Sequence, residues 1–193
     1  MGGEAVGAGM PLQVSLDDLA AMAAADENHR YELSLEGVLS VAALAEPGHA
    51  LLVSRLFAWL LANGYTPDQV AIDCGINIGG ARVPDLTVWA KGSPPRSSRS
   101  SYADTAGLLL VIEVLSRESE VIDRIIKKAE YARARIPCYW IVERDNGATV
   151  RQYALDVDTG AYQLSPGGPS VNAASIVTTV VRLKLDHLGL VDL

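Results

Sequence analysis

The chain has 193 residues, 49% of them hydrophobic, and carries 16 Lys and Arg against 23 Asp and Glu for a net charge of −7. That length suits one domain with a self-sufficient core, and the acidity argues against a broad nucleic-acid-binding surface, because phosphate neutralisation needs clustered basic residues. No apolar run reaches membrane length, the first residues lack a basic and apolar leader pattern, and Cys74 and Cys138 lack metal-type spacing, so the expectation is a cytoplasmic protein with free thiols and no membrane partner.

Residues 1–11 are rich in Gly and Ala and are expected to be a disordered tail, with 12–193 forming a single domain. Ser15 is placed to cap a helix running to about Ala25, with Asp17 and Asp18 in its positive first turn. Arg30 to Val41 reads as an N-terminal hairpin around Leu35-Glu36-Gly37, ended by Pro47-Gly48. His49 to Ala62 is apolar around most of its circumference, the pattern of a largely buried helix, and Asn63-Gly64 stops it. Val70–Ile78 and Arg82–Ala90 read as strands joined by a turn at Gly79-Gly80. Lys91 to Thr105 is a polar loop rich in Pro, Ser and Arg.

Leu108 to Leu115 is continuously apolar apart from one acid, the look of a central strand buried on both faces. Ser116 caps a predicted helix over 119–135, Pro137 closes it, and Cys138–Val142 is a second buried strand. Such a strand–helix–strand unit predicts a parallel pair. Thr149–Leu155 and Ala161–Leu164 make a C-terminal hairpin around Asp158-Thr159-Gly160, and Val177–Leu185 a last strand. The expected fold class is α/β: a mixed sheet flanked by helices, with extra hairpins at both ends.

Two acids stand in apolar strand contexts. Asp85 follows Pro84 and precedes Leu86, Val88 and Trp89; Glu113 lies inside Leu108–Leu115. A buried carboxylate is costly without a cation, a donor network or a proton. An Asp and a Glu on neighbouring strands, joined by a strand carbonyl such as that of Val114, offer the hard oxygen ligands that Mg²⁺ prefers. A lysine beside them would complete a set sufficient for phosphodiester hydrolysis. The sequence has no phosphate-binding glycine loop, no dinucleotide fingerprint and no Cys–His or Ser–His arrangement.

Pro84-Asp85, Glu113-Val114-Leu115-Ser116, Asp123-x-x-x-Lys127-x-x-x-Tyr131 and Ile136-Pro137-Cys138-Tyr139-Trp140-Ile141-Val142 follow one another in an order that resembles the Uma-type restriction endonuclease family of the PD-(D/E)xK superfamily. Tyr31-Glu32-Leu33 with Gly37, His49 and Val181–Leu185 extend the likeness over about residues 30 to 190. The resemblance implies a restriction-endonuclease-like fold and an Mg²⁺-dependent site, with Mn²⁺ as the alternative ion. Asp85 and Glu113 then become metal ligands, and Lys127, from the following helix, the site lysine. The superfamily's usual lysine position holds Leu115 here, and Arg117-Glu118 stands where relatives commonly carry Pro-Ser.

Helical periodicity gives a different picture of that lysine. The apolar stripe Val121, Ile122, Ile125, Ala129, Ala132 and Ile136 predicts Lys127 nearly opposite the core and Lys128 at its edge, at about 100° per residue. On that reading Lys127 is a solvated partner of Asp123; on the functional one, Arg124, Lys127 and Tyr131 look into a cleft. Periodicity leaves Lys127 and Lys128 both open, and the resemblance favours Lys127. Lys91, Arg96 and Arg99 of the polar loop, with Arg124 and Lys128, are the candidate DNA contacts. His49, Tyr131 and Glu32 are candidate supporting residues. Family analogy suggests a homodimer addressing two strands. The rival expectation is a nuclease-fold protein that cuts nothing and binds nucleic acid or protein.

Overall fold

The computed structural model describes residues 14–43, 45–97, 102–116, 119–143 and 149–165. The N-terminal tail, Arg99, Arg117-Glu118 and the strand expected over 177–185 lie outside the described residues.

Helix α1 (Leu16–Ala25) starts where expected: Ser15 Oγ accepts from the Asp18 amide, and the Asp18 carboxylate accepts in return from the Ser15 amide. Strands β1 (His29–Leu33) and β2 (Leu39–Ala43) form the N-terminal hairpin. Helix α2 spans Pro47–Ala62. Pro47 does not end the preceding unit but opens this helix, where its missing N–H costs nothing. Leu52, Val53, Leu56, Trp59 and Leu60 form its buried face, and Gly64 follows its end with φ +98°.

The single expected hairpin over residues 70–90 is divided between two sheets. β3 (Val70–Ile72) pairs with β6 (Leu86–Trp89), whereas β4 (Ile76–Asn77) pairs with β5 (Ala81–Arg82). Asp73, in the left-handed region with φ 50°, and the Val83–Pro84 segment carry the chain between them. The polar loop then contributes a short strand of its own, β7 (Ala103–Asp104), parallel to β4.

β8 (Leu108–Val114), β9 (Cys138–Glu143), β10 (Thr149–Asp156) and β11 (Ala161–Leu164) follow. The larger sheet has the order β11-β10-β9-β8-β6-β3, and β8 and β9 are parallel, as the intervening helix requires. The smaller sheet, β2-β1-β5-β4-β7, takes up the N-terminal hairpin. β1 is joined to β5 through Leu33 and Ala81. Gly80 makes this junction: a Cβ there would lie 2.4 Å from the Leu33 carbonyl oxygen. Gly80→Ala is therefore expected to lower stability by about 1–3 kcal/mol, read as a shift in urea midpoint.

β8 is buried on both faces. Leu110, Ile112 and Val114 pack towards α2 with Leu52, Leu56, Leu86 and Val88. Val111 and Leu115 face Tyr131, Ile136, Tyr139 and Tyr162. Strand alternation puts Glu113 on this second face, under the helix that follows.

That helix departs from the apolar-stripe expectation over its first turns, while Ala132 and Ile136 at its end are buried as the stripe predicts. It runs as a π-helical segment over Ile122–Lys127 and continues as α3 (Lys128–Arg133). Val121 and Ile125, read as core, are 66% and 65% exposed, whereas Asp123, Lys127, Glu130 and Tyr131 are buried. The i→i+5 bonding of a π-turn shifts the phase on which a 100° wheel depends. The buried side also has charged partners waiting for it, so the side facing the sheet is polar.

Candidate active site

Asp85 stands one step before β6, whose Leu86 pairs with Ile112 of β8. The antiparallel register thus brings Asp85 beside Glu113. Both are 2% exposed, and Lys127 is 5% exposed.

Glu113 Oε1 accepts from Lys127 Nζ at 3.1 Å and from the Tyr131 hydroxyl at 2.7 Å. Lys127 Nζ also lies 3.1 Å from Glu32 Oε1 and 3.4 Å from Asp123 Oδ1. The i,i+4 pair with Asp123 therefore exists, but buried rather than solvated. Asp85 Oδ2 accepts from the Val114 amide at 2.7 Å, and Asp85 Oδ1 accepts from Arg30 Nη1 at 3.1 Å. His49 Nε2 lies 3.0 Å from the Val114 carbonyl and 3.2 Å from Asp85 Oδ2. A carbonyl only accepts, so Nε2 carries the proton. His49 thus does more than open α2: it bridges the two oxygens on which a cation was expected.

An outer set of charges holds this one. Arg82 is bidentate to Glu130, at 2.7 Å through Nε and 2.9 Å through Nη2, and its Nη1 donates to Glu32 Oε2 at 3.1 Å. Glu130 accepts from the Leu35 amide at 3.0 Å, and Glu32 from the Val83 amide at 2.9 Å. The N-terminal hairpin is tied in this way to the lysine helix. Tyr131, read as equally suited to packing or to the site, packs against Tyr139 and donates its hydroxyl to Glu113.

The electrostatics show an excess of acid. Burial pushes the Glu113 carboxyl well above its usual range; Lys127 pulls it down, but Asp123, Asp85 and Glu32 push it further up. Burial likewise raises Asp123, against the opposing pull of Lys127. Burial opposes the charge on Lys127, yet Glu113, Glu32 and Asp123 outweigh it and hold the ammonium above its usual range. Burial also works against Asp85, but His49, the Val114 amide and Arg30 bring it below the ordinary carboxylate value. The Asp85 hydrogen bond raises the His49 imidazole.

Among the described residues no group of three or more His, Cys, Asp or Glu side chains is arranged to hold a metal ion. The donor set that fits one is smaller: two carboxylates, Asp85 and Glu113, and the Val114 carbonyl, all hard oxygens. Asp123 Oδ1 is buried beside them without a hydrogen bond, and its one charged contact among the described residues is the ion pair with Lys127 at 3.4 Å. A cation there would take the place of His49 on Asp85 and Val114.

Other expected residues fall elsewhere. Arg124 donates to Glu120 and Glu143, each through one bond, at 2.8 and 2.7 Å. Lys128 Nζ sits 3.9 Å over the Tyr153 ring, away from Glu113. Of the two lysines, it is Lys127 that contacts Glu113. Lys91 and Arg96 are exposed in the loop after β6, and Arg99 is outside the described residues. Arg30, Arg82 and Glu130 were not read as site residues from the sequence. The only signal for Arg82 was a cation placed two residues before Pro84-Asp85, and Arg30 and Glu130 sit among ordinary surface-like charges.

The fold that carries this arrangement is mixed α/β, with two mixed sheets. The structure is similar to the crystal structure of "a putative nuclease belonging to DUF820" from Anabaena variabilis ATCC 29413, with a TM-score of 0.53 and 17% identity over 83% of this chain and 93% of that one. The sequence profile of the Uma2 family, described as "Putative restriction endonuclease", matches residues 16–186, and the chain belongs to that family. None of the curated proteins matches it. No helix among the described residues is long and apolar enough to cross a membrane.

Proposed function

We propose that this protein is a divalent-cation-dependent endonuclease that hydrolyses phosphodiester bonds in DNA, with Mg²⁺ as its ion and Mn²⁺ as a substitute. The observation that carries this reading is the burial of Glu113 among Asp123, Asp85 and Glu32, with Lys127 as the cation in contact with it. Such a site is electrostatically incomplete and favours a further positive charge. Asp85, Glu113 and the Val114 carbonyl would hold the ion. It would supply a more acidic water and neutralise charge developing at phosphorus.

The chain's own residues do the rest. Lys127 is fixed by Glu113, Glu32 and Asp123, so its ammonium is preorganised to orient the attacking water or to balance the developing oxyanion. Tyr131 keeps the Glu113 carboxylate in one orientation through its hydroxyl. Packing of Trp89, Tyr139 and Ile141 behind this face excludes bulk water and strengthens each of these interactions. A homodimer would present two such sites to two strands.

The second reading, a nuclease-fold protein that binds without cutting, draws on the near-complete burial of Asp85 and Glu113. Incubation of supercoiled plasmid with Mg²⁺ or Mn²⁺ separates the two. Wild-type protein should nick the plasmid, and Asp85→Ala, Glu113→Ala and Lys127→Ala should each reduce the rate by about a hundredfold or more. Lys128→Ala should cut normally. Equal nicking by all preparations would point to a contaminant, a cation-independent reaction lost in the variants would remove the metal from the reading, and an absent reaction would favour the binding module.

A further inference from the structure

Asp85 is nearly closed to solvent, so a phosphodiester needs a route to it. The two side chains that cap its carboxylate, Arg30 and His49, also line a partly open pocket of about 130 Å³. Ala50 and Ser54 of α2 and Asp73 after β3 form other walls. This volume admits a phosphate group but not a base pair.

The walls have unfilled hydrogen-bonding capacity. A guanidinium has five N–H groups. Among the described residues Arg30 uses three of them: two on Nη1, to Asp85 and the Val83 carbonyl, and one on Nη2, to Asp73. Two remain. His49 Nδ1 is buried and has no partner. Arg30 is now neutralised by its two acids; a cation seated on Asp85 would leave more of its charge for a ligand. Among the described residues of the rim Asp73 is the one carboxylate that opposes an anion, and it also aims the guanidinium.

We infer that this pocket seats a backbone phosphate of the nucleic acid, gripped by Arg30, next to the bond presented to Asp85 and Glu113. The inference rests on the nuclease reading and adds to it a substrate contact outside the acid–lysine set. Phosphate contacts of this kind fix register on the duplex rather than read sequence.

The test is binding of a short fluorescein-labelled DNA duplex, by anisotropy, in Ca²⁺, whose looser coordination is chosen to hold the complex uncut. Arg30→Gln should weaken binding about ten- to hundredfold, the usual worth of a charged hydrogen bond. Arg30→Lys should recover part of the loss. Ala50→Glu, an exposed change on α2 that adds a carboxylate to the wall, should weaken binding with no change in melting temperature. Calorimetric Ca²⁺ affinity should be undiminished in Arg30→Gln, since a competing cation leaves Asp85; a merely structural Arg30 would lower both affinities together. If the wild type binds and cuts while Arg30→Gln and Ala50→Glu bind the duplex equally well, the pocket assignment is wrong and the nuclease reading stands. A wild type that neither binds nor cuts would remove both.

Discussion

Glu113→Gln is expected to make the cation-free protein more stable while abolishing cleavage. Glu113 is buried against Asp123, Asp85 and Glu32, with Lys127 as its compensating charge. Its folded-state carboxyl therefore holds a proton more tightly than the unfolded chain does. Between the ordinary carboxylate value and the raised one, the native state binds the extra proton, and stability falls as pH rises through that window. The amide copies the protonated shape, can still accept from Tyr131 and Lys127, and has no charge to lose. The variant should gain about 1–2 kcal/mol, the common scale for relieving a strained functional site, with the gain growing towards alkaline pH. Asp85 has the opposite sign: its depressed carboxyl adds stability above the unfolded value and loses it in acid, in both proteins alike. Urea titrations of wild type and variant across neutral and alkaline pH measure the difference. A variant less stable than wild type at every pH would show that Glu113 is a structural anchor and would remove the main support for a cation site.

Arg82→Met should be the most damaging substitution that leaves the acid–lysine set itself untouched. Arg82 is 1% exposed and holds Glu130 with two bonds and Glu32 with one. Removing one partner of a buried charge network leaves the others uncompensated, at a cost of about 3–5 kcal/mol. Typical domains have only about 5–15 kcal/mol to lose. Among the described residues Glu32 would then keep Lys127 as its one cation beside the Val83 amide, so the surviving folded fraction should also cut poorly. Combining Arg82→Met with Glu130→Met removes both ends of the strongest pair and should recover a good part of the stability. Chemical denaturation of the two variants tests this. A loss below about 1 kcal/mol in the single variant would mean that water, not Arg82, satisfies Glu130.

The two predictions mark the division between what the chain discloses and what folding adds. Element positions were legible wherever local chemistry decides them. Ser15 with Asp18 caps α1, the apolar run 108–114 makes the central strand, and Asp158-Thr159-Gly160 turns the last described hairpin. The family was legible from the ordered string between Pro84 and Val142, and Asp85 and Glu113 could be paired because acids in apolar strands demand an explanation. The orientation of the lysine helix was not legible. Its aliphatic stripe argued for burial of Val121 and Ile125, yet the chain buries Asp123, Lys127 and Glu130 instead.

The sequence by itself determined the fold class, the family and the two strand acids, because strand burial and motif order are properties of contiguous residues. Only the tertiary structure decided which lysine meets Glu113, that His49 and Arg30 close over Asp85, and that Arg82 binds the N-terminal hairpin to the site. The partners in each of those contacts lie far apart in the chain, on different sheets and helices. A hydrophobic period reports the tendency of one face to leave water. It carries no information on the charges already buried beneath that face, and in this helix those charges won.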